Sequence, residues 1–132
     1  MKKIYKLEYF LKKSWSFILI KRGKIIFKSK AERLKPLILC IKKHQKEMQG
    51  TIAFDRIIGQ AAAILLAYAK VKEVWTPIIS QDARKYLKKN KIKVEFKKEV
   101  KNIMNQKGDD LCPMEKLSRK MGDKLIKYLL NQ

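Results

Sequence analysis

The longest uncharged stretch of the chain lies at its centre, between Ile57 and Ala69. It contains four alanines within Ala61–Ala67, and the remaining positions are mostly large and apolar. An apolar, alanine-rich run of this kind favours a helix that is covered on most sides. Asp55 and Arg56 come just before it, where the start of a helix leaves backbone N–H groups without partners. The pattern therefore predicts a buried central helix that begins beside a carboxylate.

The residues before this helix predict a helix, a β-hairpin and a second helix. Apolar residues at positions 4, 7, 10 and 11 indicate a short amphipathic helix. Two segments rich in aromatic and β-branched residues, Trp15–Ile20 and Ile25–Phe27, flank a turn that contains Gly23, which predicts a β-hairpin. A helical apolar stripe then runs from Leu34 to Met48, and 51–54 reads as an extended lead-in to the central helix.

The second half alternates strands and helices. We predict a strand at Val71–Ser80, a helix at Gln81–Asn90, a strand at Ile92–Phe96 and a closing helix whose first turn contains Pro113. Such alternation implies parallel strands joined by right-handed crossovers, with helices on both faces of the sheet. The length suits one domain, 1–132, with an N-terminal helix (1–13), a core (14–117) and a closing C-terminal helix (118–132).

The net charge of +21 has two interpretations that the sequence leaves open. Clustered cations release counterions from phosphates, so a nucleic acid is one possible partner. However, the basic residues are mostly lysines spread over the whole chain, whereas base readout and bidentate phosphate contacts favour arginine. The alternative interpretation is a lysine-rich proteome without a nucleic-acid partner.

Other features of the sequence bear on location and assembly. No apolar run is long enough to span a bilayer, and Lys12 and Lys13 interrupt the N-terminus too early for a signal peptide. We therefore expect a cytoplasmic protein with no membrane partner, in which the two cysteines are reduced. The N-terminal helix could also dock on another chain, so a homo-oligomer stays open.

The cysteines and the single histidine give only limited evidence of chemistry. Cys40 lies near the apolar stripe of its helix and suits a core position, and His44 lies on the lysine-rich side of the same helix. Cys112 precedes Pro113 and Glu115 at a predicted helix start, where a thiol can become a nucleophile. It can equally be an ordinary buried thiol, because no histidine is placed to pair with it.

Several of these segments together resemble a known family. The strings Asp-Arg-Ile-Ile-Gly-Gln-Ala-Ala-Ala at 55–63, Val-Lys-Glu-Val-Trp at 71–75, Ile-Ser at 79–80 and Asn-x-x-Gly-Asp-x-Leu-Cys-Pro-Met-Glu at 105–115 are similar to an uncharacterised family of small bacterial proteins. That family has a cytidine-deaminase-like fold. The resemblance implies an α/β fold, a three-layer α/β/α sandwich whose mixed sheet is opened by a β-hairpin.

The resemblance raises zinc-dependent deamination as a possible activity, and the sequence argues against it. Zinc deaminases carry a His or Cys ligand and a Glu at the start of the central helix, and Pro-Cys-x-x-Cys at a later helix start. Here these places hold Gly59-Gln60-Ala61 and Ser80-Gln81-Asp82-Ala83, which supply no thiolate or imidazole. We therefore expect no metal site and no zinc cofactor.

A deaminase-like pocket without metal is the remaining prediction, and whether it catalyses a reaction stays open. The resemblance places such a pocket over the helix starts, where phosphate or ribose groups can meet backbone N–H groups. We expect it to bind a nucleotide or a nucleotide-derived metabolite; a nucleic-acid-binding module is the alternative. The structural alternative is that Asp55 only caps the helix and Gly59 only lets it pack. The candidate binding residues are Asp55, Arg56, Gly59, Gln60, Ser80, Cys112 and Glu115.

Overall fold

The fold is built on a mixed sheet, seen in a computed structural model that describes residues 7–31 and 34–131. The strands are β1 (Phe17–Lys21), β2 (Lys24–Ser29), β3 (Ile52–Asp55), β4 (Ile57–Ile58), β5 (Glu73–Ser80) and β6 (Lys93–Val100). The helices are α1 (Leu7–Leu11), α2 (Lys35–Met48), α3 (Gln60–Tyr68), α4 (Gln81–Lys89), α5 (Pro113–Met121) and α6 (Lys124–Leu130).

The sheet combines an antiparallel half and a parallel half. The hairpin β1–β2 forms one side, and β1 also pairs antiparallel with β3. On the other side β5 pairs parallel with β3, β4 and β6. The predicted mixed sheet opened by a β-hairpin is therefore confirmed.

Strands β3 and β4 lie one after the other along the same edge of β5, with a break at Arg56. Phe54 of β3 pairs with Trp75, and Ile57 of β4 pairs with Ile78. The break faces Pro77, which has no N–H to donate to a neighbouring strand. A proline is therefore accepted inside this central strand, and Asp55 is left at the end of β3, beside the interruption.

Side chains alternate between the two faces of the sheet. Phe17 and Leu19 of β1 belong to the larger apolar cluster, which the sheet shares with α2 to α6. Ile18 and Ile20 belong to a smaller cluster with Leu7 and Phe10 of α1. Helix α1 therefore forms the second outer layer, and α3 packs against α2, α4, α5 and α6 in the first.

Three details differ from the sequence-based prediction. The segment predicted as an extended lead-in is a full strand, β3, between β1 and β5. The central helix begins at Gln60 and not directly after Asp55, because Ile57 and Ile58 pair with β5. The closing helix is interrupted at Gly122, whose positive φ of 57° ends α5 and allows α6 to start in a new direction.

The N-terminal prediction falls partly outside the described residues. The structure confirms a helix at Leu7–Leu11, whereas the predicted start at Ile4 lies among residues 1–6. Along the described chain, 7–31 and 34–131, none of the helices combines the length and the apolar character needed to cross a bilayer.

Candidate functional site

A cleft of about 1040 Å³ opens where β3 ends and α3 begins. One side is formed by the turn 55–59, and the other by the segment 103–115, which leads into α5. Two alanines of the first turn of α3, Ala61 and Ala62, also line it. Five of the seven candidate residues meet here; they are Asp55, Arg56, Gly59, Cys112 and Glu115.

Asp55 brings a buried carboxyl group to this cleft. It is the last residue of β3, and only 8% of its surface is exposed. Burial raises the pKa of Asp55 to about 8, although the backbone N–H groups of Arg56 and Ile57 pull it in the opposite direction. A carboxyl group of this kind exchanges a proton close to neutral pH. It does not cap α3, which begins five residues later at Gln60.

Glu115 supplies the cap that α3 lacks in its own sequence. The residue at the N-cap position is Gly59, which has no side chain to accept a hydrogen bond. Instead, the backbone N–H of Gln60 donates to Oε1 of Glu115 over 2.7 Å. A carboxylate is favoured at this end of a helix by the helix dipole. The first turn of α3 is thus joined to α5 across the cleft.

The second oxygen of Glu115 is in a different situation. The residue is only 2% exposed, and Oε2 has no hydrogen-bond partner within 7–31 and 34–131. Burial raises the pKa of Glu115, and Asp82 adds to this, whereas the Gln60 N–H and Arg119 lower it. A buried acceptor without a partner is rare in native proteins and asks for an explanation.

Gly59 is required for space, and its backbone angles would suit any residue. Its φ of −95° and ψ of −176° lie in the extended region. A Cβ atom at this position would lie 2.2 Å from Oε1 of Glu115 and 3.2 Å from Cγ1 of Ile103. The glycine therefore permits the contact between Glu115 and the start of α3.

Arg56 lines the cleft, but its guanidinium is committed elsewhere. Nε donates to the carbonyl of Trp15 over 3.0 Å, and Nη2 donates to the carbonyls of Phe10 and Lys13. The planar fork of an arginine suits several acceptors at once. Arg56 thus ties the end of α1 to the break between β3 and β4.

Because lysine cannot reproduce this fork, we expect Arg56→Lys to lower the free energy of unfolding by about 2 kcal/mol. Urea unfolding followed by circular dichroism measures the change. Arg84→Lys is the matched control, since Arg84 makes a surface ion pair with Glu99 and should change stability by less than about 1 kcal/mol. Equal effects of the two substitutions would contradict the assigned role of Arg56.

Ser80 and Gln60 do not line the cleft. Ser80 is fully buried at the end of β5, and its Oγ accepts a hydrogen bond from the N–H of Ala83 over 3.1 Å. It is the N-cap of α4. The backbone N–H of Gln60 donates to Glu115, which does line the cleft. The side-chain Oε1 of Gln60 accepts from Ser118 Oγ over 3.3 Å.

Ser80→Ala should therefore lower stability by about 1 kcal/mol, the usual cost of removing an N-cap. The same urea experiment tests this, and Ser14→Ala, in an exposed turn, should change stability by no more than about 0.5 kcal/mol. A loss for Ser80→Ala no larger than that of the control would show that the cap contributes nothing measurable.

The segment 103–112 is held by its own turn chemistry. The N–H of Gly108 donates to Oδ1 of Asn105 over 2.8 Å, and Gly108 has a φ of 75°. Met104 and Leu111 pair across the turn, and the N–H of Cys112 donates to the carbonyl of Ile103. Cys112 is half-buried and begins α5 without a side-chain cap. The predicted turn at 105–110 therefore forms a shaped wall of the cleft.

Sequence reasoning missed the partnership between Glu115 and Gln60, which are 55 residues apart. One signal was available, because Gly59 has no side chain that could accept from the first N–H groups of the helix that it precedes. It also missed most of the lining outside the candidates, which includes Ser16, Leu34, Ile103, Met104 and Met114.

Comparison with known proteins places the chain in a family. The sequence profile of TM1506, a domain of unknown function (DUF1893), matches residues 6–132. The chain belongs to the DUF1893 family. A crystal structure of a DUF1893 family protein (TM1506) from Thermotoga maritima is 28% identical and has a TM-score of 0.85, with 95% of this chain and 85% of that chain covered. The search of curated proteins found no match to the chain.

The DUF1893 chain also resembles, in its fold alone, a larger protein with a cytidine-deaminase-like fold. Acinetobacter baumannii RibD (form 1) is 18% identical, with a TM-score of 0.51 over 86% of this chain and 32% of that chain. The DUF1893 chain thus corresponds to about a third of RibD. At this identity the likeness concerns the fold alone, and it agrees with the predicted cytidine-deaminase-like architecture.

The two helix starts that carry zinc ligands in deaminases are occupied differently in this DUF1893 chain. Helix α5 bridges them, because Glu115 bonds the start of α3 and Arg119 pairs with Asp82 of α4 over 3.6 Å. Across the described ranges no three His, Cys, Asp or Glu side chains come together as a metal site would require. Gly59, Gln60, Ser80 and Asp82 at these starts include neither a thiol nor an imidazole, so the side chains present differ from those of a deaminase zinc site.

Proposed function

We propose that this DUF1893 protein binds a nucleotide or a nucleotide-derived metabolite in the cleft between the turn 55–59 and the segment 103–115. The observation that carries the proposal is the meeting of two buried carboxyl groups, Asp55 and Glu115, at one cleft of about 1040 Å³. Ligand sites in proteins are concave, largely apolar and supplied with a few polar groups that fix orientation.

The position in the fold supports the same proposal. In sheets of this type ligands bind beyond the carboxyl ends of parallel strands. Asp55 is at the carboxyl end of β3, which runs parallel to β5. The small residues Gly59, Ala61 and Ala62 leave room next to it. A ligand there would contact both carboxyl groups and the wall formed by 103–112.

A thermal-shift panel tests the proposal with nucleosides, ADP-ribose and dinucleotides. The measured quantity is the ligand-induced rise in Tm, compared within each variant so that differences in basal stability do not matter. We expect at least one compound to stabilise the wild type and to stabilise Asp55→Asn much less. Asp123→Asn is the matched control, because Asp123 accepts a hydrogen bond from Tyr86 on the surface and does not line the cleft.

Two outcomes would overturn the proposal. The first is no stabilisation of the wild type by any compound of the panel. The second is equal stabilisation of the wild type and Asp55→Asn. If the protein instead binds generic duplex DNA or RNA, with an affinity that falls steeply with salt and survives Asp55→Asn, its positive charge and not the cleft is the functional feature.

A further inference from the structure

We infer that the cleft recognises the hydroxyl groups of a sugar, and that Oε2 of Glu115 is the atom that accepts from them. The inference rests on the proposed function and deepens it, because it states which part of a nucleotide-like ligand enters the cleft. The buried part of the ligand would then be its ribose. A phosphate or a charged amine would not take this position.

The geometry of Glu115 supports this assignment. Oε1 is held by the N–H of Gln60, and the absence of a side chain at Gly59 lets the carboxyl group lie directly against the helix start. Oε2 is buried, and no residue of the described part of the chain bonds it. Leaving such an acceptor unsatisfied costs about 1–3 kcal/mol. A ligand donor that reaches Oε2 removes this cost, so binding is favoured at that atom.

The described lining of the cleft offers few free donors to an anion. Four of its lining residues are acidic, namely Asp55, Asp109, Asp110 and Glu115. Among the lining residues within 7–31 and 34–131, Arg56 and Lys107 are basic, and the guanidinium of Arg56 is bonded to three backbone carbonyls. The first N–H of α3, which could otherwise bind a phosphate, already donates to Glu115. We therefore expect a phosphate not to occupy the first N–H of α3.

Two further arguments favour a hydroxyl over other donors. The net charge of +21 repels cationic ligands at long range. A hydroxyl both donates and accepts, so it can pair with a buried carboxyl group with or without its proton. That property matters at Asp55, because burial raises its pKa to about 8 and so keeps the carboxyl group protonated at lower pH. An amino group on a base can donate but cannot accept in return.

An NMR titration of the full chain tests the inference. The amide of Gln60 is the reporter, since its N–H is bonded to Glu115. The probes are adenosine, 2′,3′-dideoxyadenosine, D-ribose and spermidine. The variants are wild type, Glu115→Gln, which keeps an oxygen for the Gln60 N–H, and Asp123→Asn as control. Because a hydrogen bond to a charged group is lost, we expect dideoxyadenosine to bind the wild type roughly tenfold or more weakly than adenosine.

Glu115→Gln should weaken the binding of adenosine by a similar factor and leave the affinity for dideoxyadenosine nearly unchanged. Equal affinities for the two nucleosides, or equal losses on Glu115→Gln, would overturn the sugar assignment while the nucleotide proposal stands. Glu115-dependent binding of D-ribose without any nucleoside binding would support the sugar assignment and overturn the nucleotide proposal. Binding of spermidine alone, or of none of the probes, would overturn both.

Discussion

Gly59→Ala should lower the free energy of unfolding by about 3 kcal/mol, from overpacking and from the loss of a helix cap. The new Cβ would lie 2.2 Å from Oε1 and 2.9 Å from Cδ of Glu115. The glutamate must therefore move, and its hydrogen bond to the Gln60 N–H is lost. Backbone strain makes no contribution, because Gly59 has extended angles that alanine adopts freely. Urea unfolding at neutral pH measures the loss.

A double-mutant cycle with Glu115→Ala separates the clash from other effects. With the carboxyl group removed, the nearest remaining atom to the new Cβ is Cγ1 of Ile103 at 3.2 Å. The cost of Gly59→Ala should then fall to about 1 kcal/mol or less, since neighbouring residues are coupled. The same cost in both backgrounds would show that the alanine does not act through Glu115, and the assigned role of the glycine would be wrong.

Asp55→Asn should stabilise the protein by several kcal/mol at pH 8 and by little at pH 4. Burial raises the pKa of Asp55 to about 8, whereas an aspartate in the unfolded chain titrates near 3.9. Between these values the folded protein holds a proton that the unfolded chain has released. Stability therefore falls as the pH rises through this range, by about 1.4 kcal/mol per pH unit. Asparagine does not titrate and avoids this loss.

Urea unfolding at several pH values between 4 and 9 measures the difference between wild type and Asp55→Asn. The difference should grow up to about pH 8 and then stay constant. The pKa of Glu115 is also raised, so the stability of Asp55→Asn should still decline somewhat as the pH rises. Asp123→Asn should instead follow the wild-type curve. Parallel curves for wild type and Asp55→Asn would contradict a buried, proton-holding Asp55.

Asp55 and Glu115 are positions where the native residue disfavours folding. A buried aspartate and a glutamate oxygen without a partner each disfavour folding, and leucine or alanine would suit the core of a purely structural element better. Such departures from the stability optimum concentrate at functional sites. The two buried carboxyl groups therefore support the proposed binding site.

The fold could be predicted well from the sequence where a pattern of apolar residues extends over a long segment. The stripe of α2, the hairpin around Gly23 and the alternation of β5, α4 and β6 each follow from local pattern. Strands β3 and β4 could not be assigned in this way. They have four and two residues, and their extended form comes from pairing with β1 and β5. The predicted start of α3 was wrong for the same reason, because Ile57 and Ile58 pair with β5.

The candidate site could be predicted only as a set of residues. The resemblance indicated the helix starts and the string at 105–115, and the structure brings Asp55, Gly59 and Glu115 to one cleft. Their role in binding stays a prediction. The orientation of side chains depends on tertiary contacts that local sequence does not contain. The guanidinium of Arg56 is therefore bound to carbonyls around α1. The cap of α4 is local instead: the sequence allows Ser80 or Asp82 there, and the structure has Ser80, which accepts from the N–H of Ala83.

A crystal structure of the full chain with the compound that gives the largest thermal shift shows directly where that compound binds. We expect ligand density in the cleft, in contact with Asp55 and Glu115, with a sugar hydroxyl within hydrogen-bond distance of Oε2. Ligand density elsewhere on the protein, with this cleft empty, would contradict the claim that the two buried carboxyl groups form a binding site.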